Sequence, residues 1–372
     1  VSIQVLRHSH FASDPWGDGG SKRTAQISEI LSRHLIEQEF YDPDITKIFQ
    51  KKFAVIEGVR LLNQHKIKSS LTKTALTQLG FNYYKRQKTM AHYAGKHSLL
   101  LWESSRQQNY LMSYAARDNG IAVIGLPHNL ESLVAGQYSD FTGLAAPWWF
   151  EEELQSLRKC NLIFTISREE QYILKLFGLQ AEFLPYYPPA EVVTYLQSIR
   201  QRRENRADSS IIFLMGTAGN KPTFDGMLNR IRFFDSVSSQ LPDAELHIGG
   251  YLTEMLKPHL PDNPKIKLHG SLSVEQMDLL LTQCRYCWIH QNISTGSLTK
   301  IPELMLAGVP VLLNSDAARN FYNVPGIRVY ENDEDCKDAM LETLPIPPAP
   351  PRPEIHERIL IQAIQNLYKP RS

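Results

Sequence analysis

The chain has 372 residues, with 40 Lys or Arg against 39 Asp or Glu, and 42% of it is hydrophobic. This balance excludes a disordered or collagen-like chain, and no apolar run approaches the roughly 18–20 residues of a membrane-spanning helix. At about 150 residues per domain, the length predicts two domains.

The opening residues, Val1 to His10, hold no basic-then-apolar signal and read as a strand, with a leader removed before Val1 left open. From there short apolar runs alternate with helix-length segments. In the first half the runs are Ser2–Leu6, Ser98–Trp102, Ile121–Leu126, Leu162–Ile166 and Glu182–Leu184. In the second half they are Ile211–Met215, Glu245–Ile248, Ile266–Leu268, Tyr286–His290, Val309–Leu313 and Ile327–Tyr330. This rhythm predicts buried parallel strands in βαβ units. The expected architecture is α/β, with two doubly wound Rossmann-like domains facing a cleft.

Residues 45–97 hold eleven Lys or Arg and one acid, Glu57, interleaved with Phe49, Phe53, Phe81, Tyr83, Tyr84 and Tyr93. A field of this sign attracts an anionic partner, and a set of solvated helix faces accounts for it equally well. The N-terminal domain is expected over 1–195. A linker is expected over 196–209, because Pro185–Pro189 is proline-rich and Ser198–Ser210 is polar and basic, with Arg200, Arg202, Arg203 and Arg206 read as a solvated helix end and connector. The second domain is expected over 210–345. A strap with six prolines follows over 345–353 and should be stiff and extended. In the last segment, 354–372, Ile355, Ile359, Ala363 and Leu367 recur at four-residue spacing and predict a helix that packs back on the first domain. Cys284 and Cys287 form a CxxC without a second ligand pair and read as buried thiols, and four cysteines in all, with Cys160 and Cys336, are too few for a disulfide scaffold and fit a reducing cytosol.

Chemistry in such sheets gathers where strands end. In Ile289–Ser315 a strand ends near Gln291, a loop Ser294-Thr295-Gly296-Ser297-Leu298-Thr299 follows, and a helix runs from about Lys300 to Gly308. Pro302 suits a first helical turn, and Gly308 suits the left-handed residue after the last. A helix start of this kind offers backbone donors and a dipole to phosphate. Lys300 opposes that dipole unless an anion lies between them. Glu303, one turn in, can accept from a sugar diol. A second strand end, Met215-Gly216-Thr217-Ala218-Gly219-Asn220-Lys221, offers close backbone approach and one cation. A third, Pro127-His128-Asn129-Leu130-Glu131, offers a histidine. Ser167 and Glu170, after Leu162–Ile166, read as a capping box. Pro15–Arg23 is glycine-rich through Gly17, Gly19 and Gly20, and it matches neither a Walker A loop nor a full GxGxxG.

The run from Glu303 through Ala307-Gly308 to Pro310-Val311, with Lys300 three residues before the Glu, resembles the signature of retaining GT-B glycosyltransferases, the family-4-like group also described as glycosyl transferases group 1. The resemblance extends over most of the chain with the motifs in order. It implies that Glu303 binds the ribose hydroxyls of a nucleotide-sugar, UDP-sugar favoured, and that Ser297, Leu298 and Thr299 with Lys300 hold the diphosphate. Thr295 stands where the family usually has a Glu on the donor sugar, and Gly296 follows it as in the family. Gly216 and Thr217 would approach the diphosphate, with Lys221 in place of the usual Arg after the Gly. His128 would face the donor sugar, and Gly19 and Gly20 the diphosphate and acceptor. The activity implied is sugar transfer with retention to a glycan or lipid-linked acceptor in polysaccharide biosynthesis. The implied place is the cytoplasm, at the inner membrane face through residues 45–97.

No cofactor and no metal are expected. Asp42-Pro-Asp44 reads as a turn, Asp333-Glu-Asp335 as an exposed acidic loop, and His8-x-His10 has no third ligand. Three other readings stay open: a catalytically silent relative that binds nucleotide-sugar, another two-domain enzyme such as a sugar-nucleotide epimerase or a pyridoxal-phosphate phosphorylase, and single-strand nucleic-acid binding through the basic segment. The first two fit the motifs. Nucleic acid is not expected as a partner.

Overall fold

A computed structural model describes residues 2–370, apart from 49, 67–72, 107–108, 135, 140–142, 144, 205–208, 220 and 293–295. It divides into two compact units, Val1–Tyr186 together with Pro353–Ser372, and Tyr187–Arg352.

The first unit runs β1 (Gln4–His8), α1 (Gly19–Arg33), β2 (Glu37–Phe40), α2 (Lys51–Gln64), α3 (Lys73–Ala94), β3 (Leu99–Trp102), α4 (Tyr110–Asp118), β4 (Ala122–Gly125), a 3-10 turn (Glu131–Leu133), α5 (Trp148–Leu157), β5 (Leu162–Thr165), α6 (Arg168–Leu176) and β6 (Ala181–Phe183). The second runs α7 (Ala190–Glu204), β7 (Ile211–Met215), α8 (Lys221–Val237), β8 (Glu245–Gly249), a 3-10 segment (Thr253–His259), β9 (Ile266–Gly270), α9 (Val274–Gln283), β10 (Tyr286–Ile289), α10 (Lys300–Leu306), β11 (Val311–Asn314), α11 (Ser315–Ala318), β12 (Ile327–Tyr330) and α12 (Asp333–Leu341). The last helix, α13 (Glu354–Leu367), belongs to the first unit.

Each unit holds one six-stranded sheet, ordered β2-β1-β3-β4-β5-β6 and β12-β11-β10-β7-β8-β9. All the pairings are parallel. Alternation along each central strand feeds two cores, one per face. In β3, Leu100 and Trp102 join a core with Met90, Leu111 and Leu154, while Leu99 and Leu101 join Ile27, Ile30, Leu360 and Ile364. In β10, Cys287 and Ile289 pack with Ile199, Leu281 and Leu304, while Tyr286 and Trp288 pack with Ile231, Phe234 and Met340. Helices therefore cover both faces of both sheets, which explains the near-continuous apolar runs.

One strand is added to the predicted set, and four expectations are corrected. Strand β2, Glu-Gln-Glu-Phe, is a half-exposed edge strand that pairs only with β1, so it carries no apolar run. The 196–209 segment is not a free linker, and the first unit stops at Tyr186 rather than 195. Most of that segment is α7, whose Val192, Leu196 and Ile199 enter the second unit's core. Arg203 is buried and Arg200 half-buried, and both are engaged by backbone carbonyls rather than left in solvent. Arg200 Nε donates to the Leu306 carbonyl at 2.9 Å, and buried Arg203 donates to the carbonyls of Gly308 at 2.9 Å and Cys284 at 3.0 Å. On α13 the buried face is Leu360, Ile361, Ala363 and Ile364, with Ile355 65% exposed, because the 3.6-residue period drifts away from a strict spacing of four. The return to the first unit is tied by Arg33 Nη1 to Glu357 Oε2 at 2.8 Å and by the Lys369 amide to Ser98 Oγ at 2.9 Å. Asp333-Glu-Asp335 is the first turn of α12, not a loop, and its acids pair with Arg230 and Arg328.

Candidate active site

Ligands of open parallel sheets sit beyond the carboxyl ends of the strands, where the strand order reverses. In the first sheet that point lies between β1 and β3, in the second between β7 and β10.

At the first point the register levels His8 with Trp102, and Trp102 with Gly125. Arg7 and Glu103 form a fully buried ion pair across β1 and β3. Arg7 also donates to Ser28 Oγ and to the Thr24 carbonyl, both at 2.6 Å, and Thr24 Oγ1 donates to Glu103 Oε2 at 2.9 Å. Burial alone would raise the Glu103 carboxyl, and the Arg7 guanidinium and His128 together outweigh it, leaving Glu103 at about 2. A permanent carboxylate thus stands 3.7 Å from His128 Nε2. His128 is 8% exposed and stacks on Phe11 with centroids 5.1 Å apart. Phe11 reaches this position because Gly20 has no side chain, since a Cβ there would lie 2.6 Å from the Phe11 ring. Burial, and then the charge of Arg106, lower His10.

The loop that carries His128 is fixed by two buried acids. Glu153 accepts from the amides of Glu131 and Ser132, each at 3.0 Å, and from Ser132 Oγ at 2.6 Å. Glu170 Oε1 accepts from the Leu130 amide at 2.9 Å. Ser167 Oγ does cap α6 by accepting from the Glu170 amide, but the Glu170 side chain turns to the His128 loop, so Ser167 and Glu170 are more than a capping pair. Burial, reinforced by Glu153, pushes Glu131 up to about 7.

At the second point the loops after β7 and β8 meet backbone to backbone. The Gly216 amide donates to the Gly249 carbonyl at 3.3 Å, and the Ala218 amide to the Tyr251 carbonyl at 2.9 Å. Gly250 permits this at φ +131°, where a Cβ would lie 2.1 Å from the Gly216 oxygen. Gly216 and Ala218 are buried, and the alternate positions Thr217 and Gly219 are exposed. The loop after β10 is clamped to β11, with the Gln291 amide donating to Asn314 Oδ1 at 3.0 Å and Asn314 Nδ2 to the Gln291 carbonyl at 2.8 Å. Helix α10 has seven residues and ends with the Gly308 amide on Met305 and the Val309 amide on Leu304, Gly308 being left-handed at φ +68°.

The predicted residues are placed as follows. Gly296, Ser297, Leu298, Thr299, Lys300 and Glu303 lie together from the loop after β10 into α10, with Gly296 buried and the others half-buried. Thr295 lies outside the described residues. Gly216 and Thr217 lie on the neighbouring strand end, because β7 pairs with β10. Lys221 is 83% exposed and pairs with Asp225 at 2.7 Å, so its charge is shared. Gly19 and Gly20 form the first turn of α1 rather than an open loop, with Asp18 accepting from the Ser21 amide at 2.8 Å. Sequence reasoning missed Arg7, Glu103, Glu153 and the reach of Glu170. The available signal was a charge inside or directly after an apolar run, which burial forces to find a partner. Among the described residues no three His, Cys, Asp or Glu converge as a metal-holding group. No described helix is long and apolar enough to cross a membrane.

No protein-family model matches the chain, and no curated protein matches its sequence. Solved structures match over nearly its whole length. Anabaena HepE in complex with UDP aligns at 12% identity and a TM-score of 0.57, covering 98% of this chain and 100% of that one. The same protein with UDP-glucose aligns at 14% identity and 0.52, covering 98% of each. The UDP-GlcNAc 2-epimerase of Methanocaldococcus jannaschii aligns at 12% identity and 0.52, covering 98% and 100%. These likenesses establish the GT-B fold, with its two parallel six-stranded sheets and flanking helices.

Proposed function

We propose that the protein is a glycosyltransferase that takes its sugar from a nucleotide diphosphate, UDP-sugar favoured, and passes it with retention to a glycan or lipid-linked acceptor. The observation that carries this reading is the meeting of the glycine-bearing loops after β7 and β8 beside the strand end that leads into Lys300 and Glu303. Likeness of fold to proteins solved with UDP and UDP-glucose supports the choice of donor.

In the proposed roles, Glu303 accepts from the ribose hydroxyls. The exposed Thr217 and Gly219, the Ser297–Thr299 segment and Lys300 meet the diphosphate. Lys221 joins them by leaving Asp225. Gly296 meets the sugar, and Thr295, by resemblance, would contact it as well. The bond from the anomeric carbon to the phosphate oxygen breaks, and the bond to the acceptor oxygen forms on the same face. The acceptor proton moves to the departing phosphate oxygen. Charge on that oxygen is met by preorganised cations and backbone donors, and no metal enters the scheme. His128, oriented by Glu103 and Phe11, stabilises the positive charge that develops on the sugar. The α2 face that exposes Phe53 and Ile56 beside Lys51 and Lys52 favours an acceptor presented at an anionic bilayer. In this reading the protein works in the cytoplasm, at the inner membrane face.

The test is a panel of nucleotide-sugars titrated calorimetrically, followed by product analysis by proton NMR. Binding of UDP-sugars and an axial anomeric product from an axial donor are expected. An inverted product would remove retention and leave transfer standing. Conversion of UDP-GlcNAc to its 2-epimer without acceptor would establish the epimerase reading instead, which the likeness to the archaeal 2-epimerase keeps in view.

A further inference from the structure

The first unit contains a second polar cavity that the roles above do not use. Its volume is about 350 Å³, and it is lined by His8 and Ser9 at the end of β1, Tyr41 and Pro43 after β2, Asn82, Lys85 and Arg86 of α3, and Asn109 before α4. That size suits one sugar ring or a small anion. Lys85 and Arg86 supply cationic groups, and no carboxylate lines the space. The Arg86 Nη1 and His8 Nδ1 atoms are buried there with no hydrogen-bond partner among the described residues.

A buried guanidinium is normally saturated, because an unpaired charge out of water is expensive. Arg7 of the same unit shows the rule, with Glu103, Ser28 and Thr24 on its nitrogens. Arg86 Nη1 lacks such a partner among the described residues, and an oxyanion in the cavity would supply one. Lys85 pairs with Asp44, whose carboxylate is 80% exposed at the rim. The field inside is therefore positive. Burial, and then the Arg86 charge, lower His8 to about 4, so near neutrality its imidazole is an uncharged ring whose Nδ1 can donate or accept.

The cavity also lies beside the reacting groups. His8 begins the short run whose Phe11 stacks on His128. We propose that this cavity binds an oxyanion carried by the acceptor, a carboxylate or a phosphate on the sugar that receives the new bond. Arg86 and Lys85 hold the anion, and the acceptor hydroxyl is thereby set toward His128. The protein would then select acidic over neutral acceptors. This rests on the glycosyltransferase reading given above.

The experiment is calorimetric titration of the full chain, saturated with UDP, with glucuronate, glucose 6-phosphate and glucose. At least one charged sugar is expected to bind tenfold or more tightly than glucose. A preference for glucuronate identifies a carboxylate acceptor, and one for glucose 6-phosphate a phosphorylated one. Arg86→Met should abolish the preference and Arg86→Lys should restore part of it, with UDP affinity unchanged in both. Equal binding of all three sugars by the wild type, or a preference that survives in folded Arg86→Met, overturns the proposal. Should Arg86→Met fail to fold by circular dichroism, Lys85→Met and Asn109→Leu decide, and an intact preference in both overturns it. Absence of UDP binding in the wild type would break the glycosyltransferase reading alone, and the same three sugars titrated without UDP would then read the preference by itself.

Discussion

At the carboxyl ends of β1, β3 and β4 the first unit places ionisable side chains, whereas the ends of β7 and β8 in the second unit are built from glycine backbone. His8, Arg7, Glu103, His128 and Glu131 crowd the first. Gly216, Gly219, Gly249 and Gly250 make the second, with the Lys300 and Glu303 side chains following the neighbouring β10. Both belong to the same kind of parallel sheet, so the sheet does not dictate the difference. A diphosphate is met well by close backbone approach and fixed dipoles. A group that reacts needs a side chain with a tuned charge state. Under the proposed function, nucleotide binding falls to the second unit and acceptor-side chemistry to the first.

The strongest way to break that contrast is to exchange the consequences. Gly250→Ala puts a methyl 2.1 Å from the Gly216 oxygen at φ +131°, so the β7 and β8 loops must part. UDP affinity should fall about 100-fold, the scale of a misplacement near 1 Å. His128→Ala should instead reduce transfer by about 100-fold or more with UDP affinity unchanged. Calorimetry and initial rates measure both. If Gly250→Ala lost only turnover, or His128→Ala lost UDP, the assignment would be reversed. Glu303→Ala should weaken UDP by about tenfold, as one charge-assisted hydrogen bond predicts.

A fully buried ion pair makes the first unit vulnerable at the ends of β1 and β3. Arg7→Met leaves Glu103 ionised and unpaired in the interior, and should cost about 3–5 kcal/mol in urea unfolding. Arg7→Met with Glu103→Leu should recover most of that loss, which a purely steric role for Arg7 would not allow.

The same crowding has a pH signature. Glu131 is raised to about 7 in the folded chain, so between its ordinary range and about pH 7 the folded state holds a proton that the unfolded state has released. Stability must then fall as pH rises through that window. Glu131→Gln should remove the fall, gaining at most about 3 kcal/mol at pH 8 and nothing near pH 4. His290 in the second unit runs the other way. Burial lowers it to about 4, so its contribution is lost as pH falls from about 6.5 toward about 4. Unfolding of Glu131→Gln and His290→Asn at a series of pH values would separate the two slopes.

How much of this was readable beforehand follows from where each residue's partner lies. Central strands such as Leu99–Trp102 announce themselves because both faces are buried. Strand β2 stays silent because only its pairing with β1 makes it a strand. Helix α7 looked like a linker because arginines were counted as solvated charge, while Arg200 and Arg203 spend theirs on carbonyls about a hundred residues away. The loop and helix from Gly296 to Glu303 was legible through local spacing and resemblance. The Arg7–Glu103 pair was not, because its members are separated by 96 positions. Glu170 was read as a local cap because one of its two duties is local, and only the fold brings its carboxylate to Leu130.

Lys221 gives the smallest and most discriminating effect. It starts α8, where the helix dipole disfavours a cation, and its pair with Asp225 is exposed at one helical turn. Such a pair contributes about 0.2–0.5 kcal/mol, so Lys221→Ala should leave unfolding almost unchanged. Its effect on UDP is the informative quantity. If Lys221 leaves Asp225 to meet the diphosphate, affinity should drop several-fold, and the drop should shrink at high salt because the lysine is solvated. An unaltered affinity would mean that the β7 loop contributes backbone alone, and the cationic share of diphosphate binding would then rest on Lys300.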